Sequence, residues 1–230
     1  MRAYQFISEV DHKKIGLDIE PSDPRFPLYK RAILKHSEAS RGVSNILHQL
    51  HRAENPKKIL RRMSSGTEYQ IRMLDDIMWN HPLKRQLTVY HGAKESPLRI
   101  WITKRVPLDQ PIRVHLPAYT STSTDLRQAR NFSEFGDKKL KVLMRQYAPA
   151  LLHTKYAKYT EYYNFLKIAL LPGMPALSIK QHSSHPTENE VLLGRGVEIE
   201  IQPNPVIDDY STIIWDCKVV YVNPREYWTD

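Results

Sequence analysis

Cysteine is almost missing from this chain. Cys217 stands alone among 230 residues, which excludes an internal disulfide and a zinc site built on paired cysteines, and is what a reducing cytoplasm permits. No apolar run approaches the ~18 residues that a membrane-spanning helix needs. The first nine residues lack the charged and then apolar pattern of a secretory leader, and there is no internal repeat or low-complexity tail. Acidic side chains are in deficit, 25 Asp and Glu against 34 Lys and Arg, so the formal charge is +9. A surplus of that sign suits an acidic partner, such as nucleic acid or an acidic protein surface. The expectation is a soluble protein that acts in a cytoplasm, of the producing cell or of a target cell, without a membrane. Its length is ample for a buried core.

What is present divides the chain in two. After Pro21, Pro24 and Pro27, which cannot sit inside a helix without losing a hydrogen bond, Ile33, Leu34, Val43, Ile46, Leu47 and Leu50 recur at helical spacing. They predict a helix over residues 28–51, with Gly42 as a weak point. Ile59, Leu60, Met63, Ile71, Leu74 and Met78 predict a second over residues 57–79, weakest at Gly66. The cluster Lys57, Lys58, Arg61 and Arg62 reads as a solvated helix face. From Pro82 onward, short alternating runs predict strands: 87–90, 112–116, 165–171, 176–179, 197–201 and a pair within 212–222. Residues 126–132 look helical, and the hydroxyl-rich run Thr120-Ser121-Thr122-Ser123-Thr124-Asp125 before them suits a strand-to-helix turn with an N-cap. Five consecutive hydroxyl residues exceed what a cap needs. The predicted organisation is a helical segment over residues 1–84 packed on an α+β core over residues 85–230.

Between residues 136 and 164, Lys138, Lys139, Lys141, Arg145, Lys155 and Lys158 interleave with Tyr147, Tyr156, Tyr159, Tyr162 and Tyr163. Cations and rings together can bind single-stranded nucleic acid. The favoured reading is packing, with Leu151, Leu152 and the tyrosines on one helical face.

The stretch with most chemistry is Glu188-Asn189-Glu190-Val191-Leu192-Leu193-Gly194-Arg195-Gly196. In an extended strand Glu188 and Glu190 share a face. Two like charges there read most simply as a solvated strand start. The chemical reading is a pair working on a cation or a developing cation, one carboxylate stabilising charge and the other accepting a proton.

Three segments now stand in order: Tyr90-His91-Gly92 at the end of a strand, Ser121-Thr122-Ser123, and Glu188-Asn189-Glu190. In that order and approximate spacing the chain resembles the ADP-ribosyltransferases, over roughly residues 85 to 222. The resemblance implies a split β-sandwich core around an NAD cleft, here preceded by helices, and transfer of one ADP-ribose from NAD to an acceptor with release of nicotinamide. Two positions depart from the toxin-like pattern. His91 replaces the usual arginine, so that Tyr-His-Gly is similar instead to the diphtheria-toxin and poly(ADP-ribose) polymerase branch, and Gly194 replaces a proline. By the resemblance, Glu190 stabilises the oxocarbenium-like sugar and Ser121 orients it. His91 holds the adenine-side ribose and the Gly92 backbone binds the nicotinamide amide. Tyr90, Thr122 and Ser123 complete the NAD site, and Glu188 engages the acceptor. A glutamate at that place implies protein arginine, with RNA or DNA the alternative acceptor, and a bacterial or phage effector as the setting.

Two rivals remain at this level. His182 and His185 precede the glutamates and are metal-ligand types, but Pro186 interrupts them and no known metal spacing is matched, so no metal is expected. A catalytically inactive nucleic-acid-binding protein on the same fold would explain His91, though not the retention of both glutamates.

Overall fold

The computed structural model describes residues 19, 21–179, 189–208 and 210–222. Helix α1 runs over Phe26–Arg52, with Pro27 in its first turn. The missing proline N–H has no helical partner to lose at that place, so the helix starts among the prolines and not after them. It also passes Gly42 unbroken, where an added Cβ would meet nothing within 4 Å. One glycine costs a helix about 1 kcal/mol, and the buried stripe Tyr29, Ile33, Val43, Leu47 and Leu50 outweighs it.

The second predicted helix is two. Helix α2 is Pro56–Leu60 and α3 is Ser65–Asn80. The break falls at residues 61–64 because Ser64 caps α3, its Oγ accepting the Thr67 N–H at 3.2 Å; a serine that caps is withdrawn from the preceding helix. Gly66 lies in the first turn of α3 and interrupts nothing. Lys57, Lys58, Arg61 and Arg62 are exposed.

Among the described residues nine strands follow: β1 Leu87–Ala93, β2 Ile112–Leu116, β3 Thr120–Ser123, β4 Tyr163–Leu170, β5 Ala176–Ser178, β6 Glu190–Leu193, β7 Val197–Ile201, β8 Val206–Asp208 and β9 Thr212–Val222. They form one mixed sheet in the order β2-β7-β9-β4-β1-β3-β6-β5, with β8 on β9. The β4–β9 pair is parallel and the others are antiparallel. The run predicted as two strands in 212–222 is the single strand β9, which takes up a register shift against β7 at Glu198/Ile199. Helix α4, Leu98–Lys104, was not anticipated, although Leu98, Trp101 and Ile102 have helical spacing and are its buried residues.

Two apolar clusters divide the side chains. The larger gathers Val89, Leu166, Ile168, Ile199 and Trp215 with Leu98 and Trp101 of α4, and with Leu140 and Met144 of α6, Lys138–Tyr147. Trp101 stacks on Trp215 with centroids 5.3 Å apart. The smaller joins α1 and α3 to Tyr119, Leu177, Ile179 and Leu192. Strand β6 serves both, since Val191 and Leu193 belong to the larger and Leu192 to the smaller. Each such side chain contributes about 1.5–3 kcal/mol on burial.

The Tyr- and Lys-rich stretch folds as α6 followed by two 3-10 turns, Pro149–His153 and Lys155–Thr160. It is not one helix, because Pro149 cannot continue α6. Tyr159 is buried edge-on to Trp215 at 5.6 Å, and Tyr156 stands edge-on to Tyr159 at 5.3 Å. Tyr147 is exposed.

Candidate active site

Strands β1, β3 and β6 are consecutive neighbours in the sheet. Tyr90 stands opposite Ser123, and Ser123 opposite Glu190. Segments some 30 and 70 residues apart along the chain thus meet across two strand spacings, about 10 Å.

Each strand is held at this place by its own chemistry. Thr122 is fully buried, and its hydroxyl donates to the Val191 carbonyl at 2.6 Å, joining β3 to β6 beside Glu190. Ser123 Oγ donates to the Asn189 carbonyl at 3.1 Å and accepts the Asp125 N–H at 3.0 Å. Ser121, one alternation back along β3, stands opposite Leu192. Glu190 itself is 8% exposed, an unusual place for a carboxylate without a task.

His91 Nδ1 lies 2.8 Å from the Ser121 carbonyl. A carbonyl only accepts, so Nδ1 carries the proton and Nε2 is left as the acceptor. Desolvation pushes this imidazole below its ordinary range, against the upward pull of the Ser121 hydrogen bond and with a further downward push from Lys94. His91 is therefore neutral at physiological pH.

Gly92 has a structural reason. A Cβ there would lie 2.4 Å from the Ala129 carbonyl oxygen and 2.7 Å from the Ser133 nitrogen. The backbone that a side chain here would strike is the turn formed by helix α5, Leu126–Ala129, and the 3-10 helix Arg130–Phe132.

Two groups of residues escaped the sequence reading. Gln128 of α5 reaches Asn189, whose N–H donates to its Oε1 at 2.5 Å. A lone glutamine in a predicted helix carries no signal for this. The second group is Asp75, Tyr119 and Arg195. Arg195 is wholly buried and grips Asp75 with Nε at 3.1 and 3.0 Å and Nη2 at 2.6 Å, while the Tyr119 hydroxyl donates to Asp75 Oδ1 at 2.7 Å. Burial and the Asp75 charge push the Tyr119 hydroxyl well above its ordinary range, so it stays a neutral donor. This network ties α3 to the turn that follows β6. Arg195 lies within the stretch that carries the glutamates, but its partner is 120 residues distant.

Glu188, His182 and His185 lie outside the described residues. Among the described residues, no group of three His, Cys, Asp or Glu side chains is placed to hold a metal ion, and no helix is long and apolar enough to cross a membrane.

The whole arrangement is similar to solved ADP-ribosylating proteins. A C3-type ADP-ribosyltransferase from Clostridium botulinum matches with a TM-score of 0.55 at 14% identity over 90% of each chain. A C3-type protein from S. aureus, solved with NAD, matches with a TM-score of 0.52 at 16% identity over 84% of this chain and 86% of that one. The Vis toxin of Vibrio splendidus, solved with agmatine, matches with a TM-score of 0.50 at 16% identity over 84% of this chain and 74% of that one. At these identities the likeness is one of fold. No curated protein matches the sequence. A sequence model of the ADP-ribosyltransferase exoenzyme family matches residues 39–220, reaching well into the helical segment. The chain therefore belongs to the ADP-ribosyltransferase exoenzyme family, enzymes whose co-substrate is NAD.

Proposed function

We propose that this protein transfers a single ADP-ribose from NAD to arginine side chains of an acceptor protein. The observation that carries the reading is the buried Glu190 in line with Ser123 and Tyr90, beside the His91–Ser121 hydrogen bond. In the reaction the bond between the ribose C1′ and the nicotinamide nitrogen breaks, and nicotinamide leaves neutral with the bonding electrons. Positive charge then develops on the sugar. A fixed carboxylate at Glu190, in a partly desolvated place, stabilises that charge far more than one in water. Ser121 supports Glu190 from the same side of the adjacent strand. Neutral His91 offers Nε2 to a ribose hydroxyl and leaves the diphosphate to other groups. The Gly92 backbone takes the nicotinamide amide. Glu188 pairs with the incoming guanidinium and accepts its proton as the new C–N bond forms at C1′. That the Vis toxin was solved with agmatine, itself a guanidine, supports this acceptor class for a chain of the same fold.

Purified protein incubated with labelled NAD and a cell lysate should release nicotinamide and label protein in a form that hydroxylamine slowly removes. Glu190→Gln should lower nicotinamide release by about 10²–10³-fold. Glu188→Gln should keep nicotinamide release and lose transfer to arginine. Label found in RNA or DNA would replace the arginine reading with a nucleic-acid acceptor. Absence of both label and nicotinamide would overturn the transferase reading itself.

A further inference from the structure

Asn189 immediately precedes Glu190, and both of its backbone polar groups are held, one by the last residue of β3 and the other by helix α5. Its N–H donates to Gln128 Oε1 at 2.5 Å, and its carbonyl accepts from Ser123 Oγ at 3.1 Å. The Gln128 oxygen also lies 3.4 Å from Ser123 Oγ. Ser123 Oγ is steadied by the Asp125 N–H at 3.0 Å, and the Asp125 side chain caps α5 by accepting the Arg127 N–H at 2.8 Å. Because the amide N–H of Asn189 is a donor, the Gln128 side chain must turn its oxygen and not its nitrogen toward it.

Asn189 is thus clamped at two points before the strand proper begins. A residue held by only one of its two peptide groups can still pivot about its own φ and ψ. With both held, the direction in which Glu190 leaves Asn189 is set. The register of β6 on β3 fixes which residues face each other, and the glutamate is the first member of that four-residue strand. Ser123 at the end of β3 and Gln128 of α5 together hold the residue through which the chain enters it.

From this geometry we propose that Gln128 is a positioning residue for Glu190. It touches neither NAD nor acceptor and acts through the Asn189 amide. The inference rests on the reading of Glu190 as the carboxylate that stabilises the sugar cation. Its consequence is a rate effect without a binding effect, since a small displacement of a catalytic group costs up to about a hundredfold in rate while leaving remote binding contacts intact.

The test compares Gln128→Met, which keeps length and removes the acceptor, with Gln128→Glu, which keeps an acceptor oxygen at the same reach. Nicotinamide release from NAD and thermal unfolding are measured on the full-length proteins. Gln128→Met is expected to lower kcat about 10- to 100-fold, with KM for NAD within about threefold and a melting temperature near that of wild type, and Gln128→Glu to recover most of kcat. Unchanged kcat in Gln128→Met would overturn the proposal. So would a loss in both variants that tracks a fall in melting temperature, since that is the mark of a merely structural role. If wild type releases no nicotinamide, the transferase reading fails first and this inference falls with it; an active wild type with an equally active Gln128→Met sinks this inference alone.

Discussion

At the scale of single residues, His91 and Gly92 show how neighbouring positions answer to different demands. His91 is tied to Ser121 through Nδ1, so a shorter side chain can preserve that tie while removing the nitrogen offered to NAD. His91→Asn should raise KM for NAD roughly tenfold, the equivalent of one hydrogen bond, with little change in melting temperature. Steady-state nicotinamide release against NAD concentration checks this, and an unchanged KM would remove His91 from the NAD site. Gly92 answers to packing, because the Ala129 carbonyl stands 2.4 Å from where a Cβ would go. Gly92→Ala must therefore displace backbone. It should destabilise the fold by roughly 1–3 kcal/mol, seen as a lower unfolding midpoint, and activity should fall as the α5 turn is pushed off β1. An alanine variant as stable as wild type would show that the α5 turn yields without cost.

At the scale of elements, the turn after β6 is locked to α3 by the Asp75–Arg195 pair. Removing one partner of a buried pair leaves an uncompensated charge and costs about 3–5 kcal/mol, whereas replacing both by apolar groups costs much less. Asp75→Ala should thus lower the melting temperature by roughly 10 °C for a chain of this size, and the double change Asp75→Leu with Arg195→Met should recover much of the loss. If the double variant is as unstable as the single one, packing and not charge is what the pair supplies. The same scale explains which elements were legible beforehand. Strands β2 and β7 coincide with their predicted limits, Ile112–Leu116 and Val197–Ile201, because alternation of apolar and polar residues is a local property of a half-buried strand. The division of residues 57–79 into α2 and α3 was missed because Ser64 can either continue a helix or cap one, and the choice depends on what α3 packs against.

At the scale of the whole molecule, the buried imidazole of His36 contributes a pH dependence of stability. His36 is 4% exposed in α1, edge-on to Tyr119 at 5.7 Å, and burial pushes its pKa down to about 4. In the unfolded chain the same group titrates near ~6.5. Between those values unfolding takes up a proton, so the stabilising effect of the neutral form is complete above about pH 6.5 and is lost as pH falls toward 4. Wild type should lose roughly 2–3 kcal/mol more than His36→Phe across that interval, read from denaturant midpoints at several pH values. Parallel pH profiles for the two proteins would show that His36 is not buried neutral.

The sequence by itself determined the class of the protein and the identity of its chemical groups. Helical and alternating periodicities separated the helical segment from the strands, and the ordered Tyr-His-Gly, Ser-Thr-Ser and Glu-x-Glu motifs pointed to the family that the residue 39–220 match shows. Only the tertiary structure decided how those groups are held. The pairing of Tyr90, Ser123 and Glu190, the grip of Gln128 on Asn189 and the burial of Arg195 against Asp75 all join residues dozens of positions apart. Periodicity reports which face of a local segment is apolar; it carries no information on which distant backbone amide or carboxylate will stand within hydrogen-bond reach, and that is settled by strand order and helix packing.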